Sequence, residues 1–163
     1  MKDKYCRICW NTNGWRKPSG TAPENGIYKI SPRNSDKTSF VAKNGFGYEE
    51  WLFNYEWCLN GYKYAFLQPI NKYRDKYEGK TFSAALYTKL HTKTDSRTLL
   101  VATISEVYIP GIDEWHYAFD QMKKRGWVDQ MRSDIEAIKR QPTGDLKNPT
   151  PGLEAVSKTC PLS

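Results

Sequence analysis

The feature that most constrains the fold is a change of hydrophobic period near residue 110. Before it, Leu100, Ala102 and Ile104 alternate against Val101, Thr103 and Ser105 within residues 97–108, the period-2 pattern of a strand. After it, Trp115, Ala118, Phe119 and Met122 fall at i, i+3, i+4 and i+7. Val128, Met131, Ile135 and Ile138 continue that stripe beyond Gly126. Two helices, separated or kinked at Gly126, are therefore expected over residues 113–139. Lys63–Pro69 and Thr81–Thr88, rich in β-branched and aromatic residues, read as further strands. A strand-rich middle followed by amphipathic helices predicts an α+β fold: a compact, curved or barrel-like mixed sheet flanked by helices.

The N-terminal part reads differently. Residues 5–10 alternate as a first strand, with Tyr5, Arg7 and Cys9 on one face and Cys6, Ile8 and Trp10 on the other. Residues 11–37 are rich in Asn, Gly, Pro, Ser and Lys and predict a long loop, with a short strand at Ile27–Ile30. Loops of that length are uncommon in a small domain unless they have a function. Phe40–Ala42 is expected to start another strand, and Gly45-Phe46-Gly47 to turn the chain into Tyr48–Trp57. From Gln141 onward, Pro and Gly recur as in a linker. The expected organisation is one domain over residues 1–140 and a tail over 141–163, the whole being the N-terminal module of a longer protein.

Charge narrows the function classes. The 163 residues carry 25 Lys and Arg against 18 Asp and Glu, a net charge of +7. That balance favours a polyanionic partner through phosphate neutralisation. With 6 Trp and 11 Tyr, the chain has more rings than a core of this size needs, so some are expected on a surface or in a pocket. No stretch approaches the roughly 20 apolar residues of a membrane span. The start, Met1-Lys2-Asp3-Lys4-Tyr5, lacks the apolar core of a signal peptide, so a cytoplasmic location is expected, with the four cysteines as free thiols or occasional metal ligands.

Two segments concentrate candidate chemistry. Trp10-Asn11-Thr12-Asn13-Gly14-Trp15-Arg16-Lys17 places two indoles, two carboxamides and two cations at the end of a strand. Indole faces stack on bases or cage a methyl group, and an amide reads a base edge with a donor and an acceptor. Gly45-Phe46-Gly47-Tyr48-Glu49-Glu50-Trp51-Leu52-Phe53-Asn54 adds acids beside rings. The bland alternative is that the Trp residues plug a core and the Asn residues satisfy a turn. On the functional reading, Trp10, Asn11, Asn13, Trp15, Tyr48, Glu49, Trp51 and Asn54 contact a base, and Arg16, Lys17, Lys37 and Lys43 hold phosphates. The two segments would then face each other across one pocket.

Catalysis and metal binding find little support. Cys6-x2-Cys9 lacks a second paired spacing for zinc, and alternation points the two thiols to opposite faces. Asp75, Glu78 and Lys80 crowd one polar turn, whereas two-metal chemistry needs carboxylates converging from a rigid scaffold. No catalytic residue, metal or cofactor is expected; a small nuclease stays as a lesser alternative, as does a protein-interaction module that uses the rings as hot spots.

The order of segments resembles the PUA-like superfamily, which includes the EVE, YTH and ASCH domains. The residues that carry the likeness are the first strand, the Trp10–Lys17 loop, the Gly45–Asn54 segment and Leu100-Val101-Ala102-Thr103-Ile104-Ser105-Glu106-Val107 ahead of the helices. Ala102 and Thr103 stand where a glycine is more usual. The resemblance spans roughly residues 4–140. It implies a pocket that receives a modified base, methylated in the first instance, extruded from double-stranded DNA, or alternatively an RNA-binding domain. The paired Cys-Trp-Asn-Thr-Asn-Gly-Trp and Gly-Phe-Gly-Tyr-Glu-Glu-Trp motifs are also similar to specificity modules of modification-dependent restriction systems. That likeness implies a fused or associated nuclease or motor subunit as partner.

Overall fold

The computed structural model describes residues 4–20, 40–71, 74–91 and 96–138. The strand expected at 27–30, Lys37 and the 141–163 tail lie outside them. The fold is mixed α+β. Strand β1 (Lys4–Arg7), helix α1 (Phe40–Asn44), a 3-10 turn (Tyr48–Trp51), β2 (Cys58–Leu59), β3 (Tyr62–Lys63), α2 (Gln68–Asn71) and α3 (Arg74–Tyr77) come first. The long strands β4 (Thr81–His91) and β5 (Ser96–Tyr108) follow, then helices α4 (Ile112–Lys124) and α5 (Trp127–Ala137).

The main sheet has the order β1-β4-β5. β4 and β5 pair antiparallel, with register shifts between Phe82 and Ala84 and between Leu86 and Tyr87. β1 joins the other edge of β4 in parallel, Lys4 opposite Ala84 and Arg7 opposite Tyr87. Among the described residues the sheet is open and forms no closed barrel. Its inner face follows from alternation: Cys6 of β1, Ile8 just past its end, and Phe82, Ala84 and Leu86 from β4, are buried with Val107, Ile109, Leu52, Leu67 and Ile70. On β5 the shift at Leu86/Tyr87 breaks the expected strict alternation and leaves Leu100 68% exposed.

The helices form as their periodicity requires. Trp115, Ala118, Phe119 and Met122 of α4, and Val128, Met131 and Ile135 of α5, are all buried. Acids Asp113 and Glu114 open α4 and Lys123 and Lys124 close it, each matching the helix dipole. Gly126 stands between the helices at φ 77°, a left-handed conformation that only glycine adopts without strain. These helices pack on a second, aromatic cluster containing Phe46, Tyr48, Trp51, Trp57, Tyr64 and Phe66. The 3-10 turn sits between the two clusters, with Trp51 in one and Leu52 in the other.

Two expected strands are corrected. Phe40–Asn44 is helical, with Phe40 packed edge-on against Phe46. Within Lys63–Pro69, Lys63 belongs to a strand, paired with Cys58 across the short β2–β3 hairpin, and Phe66 forms an isolated bridge; Gln68 and Pro69 start α2. The expectation of free cysteines is corrected for Cys58, which is disulfide-bonded, whereas Cys6 and Cys9 are free. No helix among the described residues is long and apolar enough to cross a membrane.

Candidate functional site

The Trp10–Lys17 and Tyr48–Asn54 segments do meet, and they meet through buried hydrogen bonds. Asn11 is the joint. Its Nδ2 donates to the Lys17 carbonyl at 2.8 Å and to Glu50 Oε2 at 2.7 Å. Its Oδ1 accepts the backbone N–H of Asn13 at 2.6 Å and that of Trp15 at 2.8 Å. Both donors and both acceptor positions of the amide are thereby used. Glu50 Oε2 also accepts from Ser19 N at 2.9 Å, and Oε1 from Gly47 N at 3.0 Å.

Glu49 supports the same joint from the other side. Its Oε1 accepts the Cys9 backbone N–H at 3.2 Å, and the Cys9 thiol donates to the carboxylate. Glu49 and Glu50 are both buried, and burial pushes their pKa values above the ordinary carboxylate value against the pull of these donors. Burial, reinforced by Glu49 and Glu50, pushes the Cys9 thiol up as well, so it is not primed for nucleophilic chemistry. Gly47 is required here by space: a Cβ would lie 2.8 Å from Glu49 Oε2 and 3.0 Å from Cys9 Sγ.

The joint holds the loop in a costly shape. Trp15 has φ 55°, directly after Gly14 at φ 63°. A bulky residue in the left-handed region costs of order 1–3 kcal/mol and persists only when its surroundings over-determine it. Three bonds do so: its N–H to Asn11, its Nε1 to the Cys9 carbonyl at 3.1 Å, and its carbonyl to the Phe53 N–H at 2.9 Å.

The candidate residues therefore divide into two groups. Asn11, Tyr48, Glu49 and Trp51 are buried. Tyr48 packs against Phe46 and Phe66 and stacks on Trp51, whose Nε1 donates to Asp134 of α5 at 2.9 Å. Trp10, Trp15 and Asn54 are half-buried, while Asn13, Arg16, Lys17 and Lys43 are exposed. Asn13 Nδ2 donates to the Pro18 carbonyl at 2.9 Å. Lys43 sits on the last turn of α1.

Two rings absent from the candidate set complete the accessible rim. Phe53 meets Trp15 edge-to-face at 6.4 Å and lies 6.1 Å from Tyr55, which is 45% exposed. Partial burial raises the Tyr55 pKa, and nearby Arg16 pulls it back, which places the guanidinium in the field of that phenol. Phe53 and Tyr55 belong to the same aromatic run of the sequence as Trp51 and Trp57, and nothing local separates the four.

Comparison with protein-family models, curated proteins and solved structures finds no match. The chemistry of the site therefore rests on its own residues. Among the described residues no three His, Cys, Asp or Glu side chains group as metal ligands.

Proposed function

We propose that the chain is a nucleic-acid recognition module that reads a modified base extruded from double-stranded DNA and does no chemistry on it. The observation that carries the proposal is the rim at Trp15, where exposed Arg16 lies in the field of Tyr55, exposed Lys17 follows it in the chain, and the Trp15–Phe53–Tyr55 rings sit on a backbone held in a strained conformation. Cations beside accessible rings are the two components that bind phosphates and stack bases. The proposed roles follow exposure. Trp10, Trp15 and Tyr55 stack, Asn13 and Asn54 read the base edge, and Arg16, Lys17 and Lys43 hold phosphates. Asn11, Glu49, Glu50 and Trp51 position that surface without touching the base. Extrusion costs a few kcal/mol, which stacking at roughly 1–3 kcal/mol per base offsets. A PUA-like architecture, a cytoplasmic setting and an associated nuclease or motor subunit belong to the same proposal.

The test is binding of the full chain to matched methylated, hydroxymethylated and unmodified duplexes, and to RNA of the same sequence, at two salt concentrations. One modified duplex should bind best, with affinity falling as salt rises. Arg16→Gln and Lys17→Gln should weaken every duplex alike and flatten the log–log salt slope by about 0.9 for each phosphate left without its cation. Salt-insensitive binding, equal affinity for all duplexes, or cleavage of DNA with added Mg²⁺ or Mn²⁺ would overturn it. Tighter binding to RNA would move the module to an RNA ligand.

A further inference from the structure

The outer face of the main sheet carries a second constellation. On β4, burial of Phe82, Ala84, Leu86 and Thr88 turns Ala85, Tyr87 and Lys89 outward. Register then sets Tyr5 of β1 beside Ala85, Arg7 beside Tyr87, Leu100 of β5 on the other side of Tyr87, and Thr98 beside Lys89. Tyr5 is 78% exposed, and Arg7 and Lys89 are exposed. The solvent face of a sheet of this kind is ordinarily polar. Here two phenol rings and a leucine share its centre with two cations.

The charge on this face is graded. Glu106 is the sole acid in the three strands and lies at the end near Phe82 and Val107. Arg7 and Lys89 lie toward the opposite end, where β1 runs into the Cys9–Ser19 loop carrying Arg16 and Lys17. Tyr5 and Tyr87 sit on neighbouring parallel strands two register positions apart, a diagonal of about 8 Å from strand spacing and rise. That arrangement suits two successive bases splayed from one strand, each stacked on a ring, with cations alongside for the backbone.

We infer that the outer face of the β1-β4-β5 sheet is a platform for single-stranded nucleic acid, with bases on Tyr5 and Tyr87, an apolar flank at Leu100 and phosphates at Arg7 and Lys89. The choice of ligand rests on the nucleic-acid reading above, but the surface is separate from the Trp15 rim. The two therefore fail separately.

The experiment is fluorescence anisotropy of the full chain with a labelled oligothymidylate and, in parallel, with a duplex, at about 50 and about 200 mM salt. Tyr5→Ala should weaken oligothymidylate binding about tenfold or more, while Tyr5→Phe keeps it because the ring remains. Arg7→Gln should lower the single-strand salt slope by about 0.7. Arg16→Gln should affect the duplex and leave the oligothymidylate nearly unchanged. The inference is overturned if the wild-type chain does not bind oligothymidylate, or if Tyr5→Ala and Arg7→Gln both bind it as the wild type does. It is equally overturned if sedimentation shows a dimer that Tyr5→Ala dissolves and oligothymidylate does not compete with, because the face would then belong to a second copy of the chain.

Discussion

Glu50 and Lys63 are both buried charged residues, 0% and 3% exposed, yet their surroundings are opposite. The Glu50 carboxylate is met by donors from Asn11, Ser19 and Gly47. Lys63, on β3, has the Trp57 ring 5.5 Å from its ammonium. That ring is stacked on Trp127 at 6.0 Å, with Arg125 over Trp127. Burial alone lowers the Lys63 pKa to about 7. The desolvation of the first residue is offset in part by bonds that fix the geometry of two loops. Among the described residues the second gains ring contact alone for a similar burial, so the two should respond to substitution with opposite signs.

The largest expected effect is at the joint. Asn11→Ala removes one donor from a buried carboxylate and strands the N–H groups of Asn13 and Trp15. It should cost about 3–5 kcal/mol in urea unfolding. A cost below about 1 kcal/mol would mean that water replaces the amide and that the joint is not rigid. Lys63→Met should instead stabilise the chain by about 1–4 kcal/mol, since a similar-sized apolar side chain removes the desolvation cost. Destabilisation by this variant would break the comparison.

Titration sharpens the contrast. The folded-state pKa of Lys63 lies below its ordinary 10.5, so between about pH 7 and 10.5 the unfolded chain binds more protons than the native one. Its contribution makes stability rise with pH across that window, and Lys63→Met should abolish the rise. Glu49 and Glu50 have raised values, so their contribution is fully present below the ordinary carboxylate pKa of 4.5 and is lost as pH climbs through the folded values. Unfolding followed from pH 4 to 10 separates the two arms. The smallest effect expected is from Gly47→Ala, about 1–3 kcal/mol, because the added methyl must push aside Glu49 and Cys9.

Periodicity made part of this legible in advance. The alternation of β4 and β5 and the stripes of α4 and α5 are long enough to fix their own type, and Cys6 of β1 and Ile8 just after it face inward as the alternation of residues 5–10 requires. Phe40–Asn44 is too short to display a period, and its helix leaves no signal that a strand would not also leave. Within the candidate site, composition located both segments but could not sort their rings. Trp15 lies between Gly14 and two cations and Trp51 between two acids and Leu52-Phe53, settings that do not by themselves fix burial; the packing of Trp51 against Tyr48 and its bond to Asp134 set it in the core. The Asn11–Glu50 bond spans 39 positions and leaves no local trace. Alternation sets Tyr5 and Arg7 opposite Cys6 and Ile8, but their company is visible only once β1 lies beside Tyr87.

That parallel placement also orders events in time. The β4–β5 hairpin closes locally, whereas β1 must find β4 after nearly the whole chain up to Ala84 has been threaded between them. Non-local pairings of this kind form late, because the entropy of closing the loop is lost before any contact compensates it. On a ribosome the first strand emerges early and waits for a neighbour that has not yet been made. The Trp15 turn draws its bonds from Cys9, Asn11 and Phe53, all of which precede β4 in the chain, so it does not have to wait for the sheet.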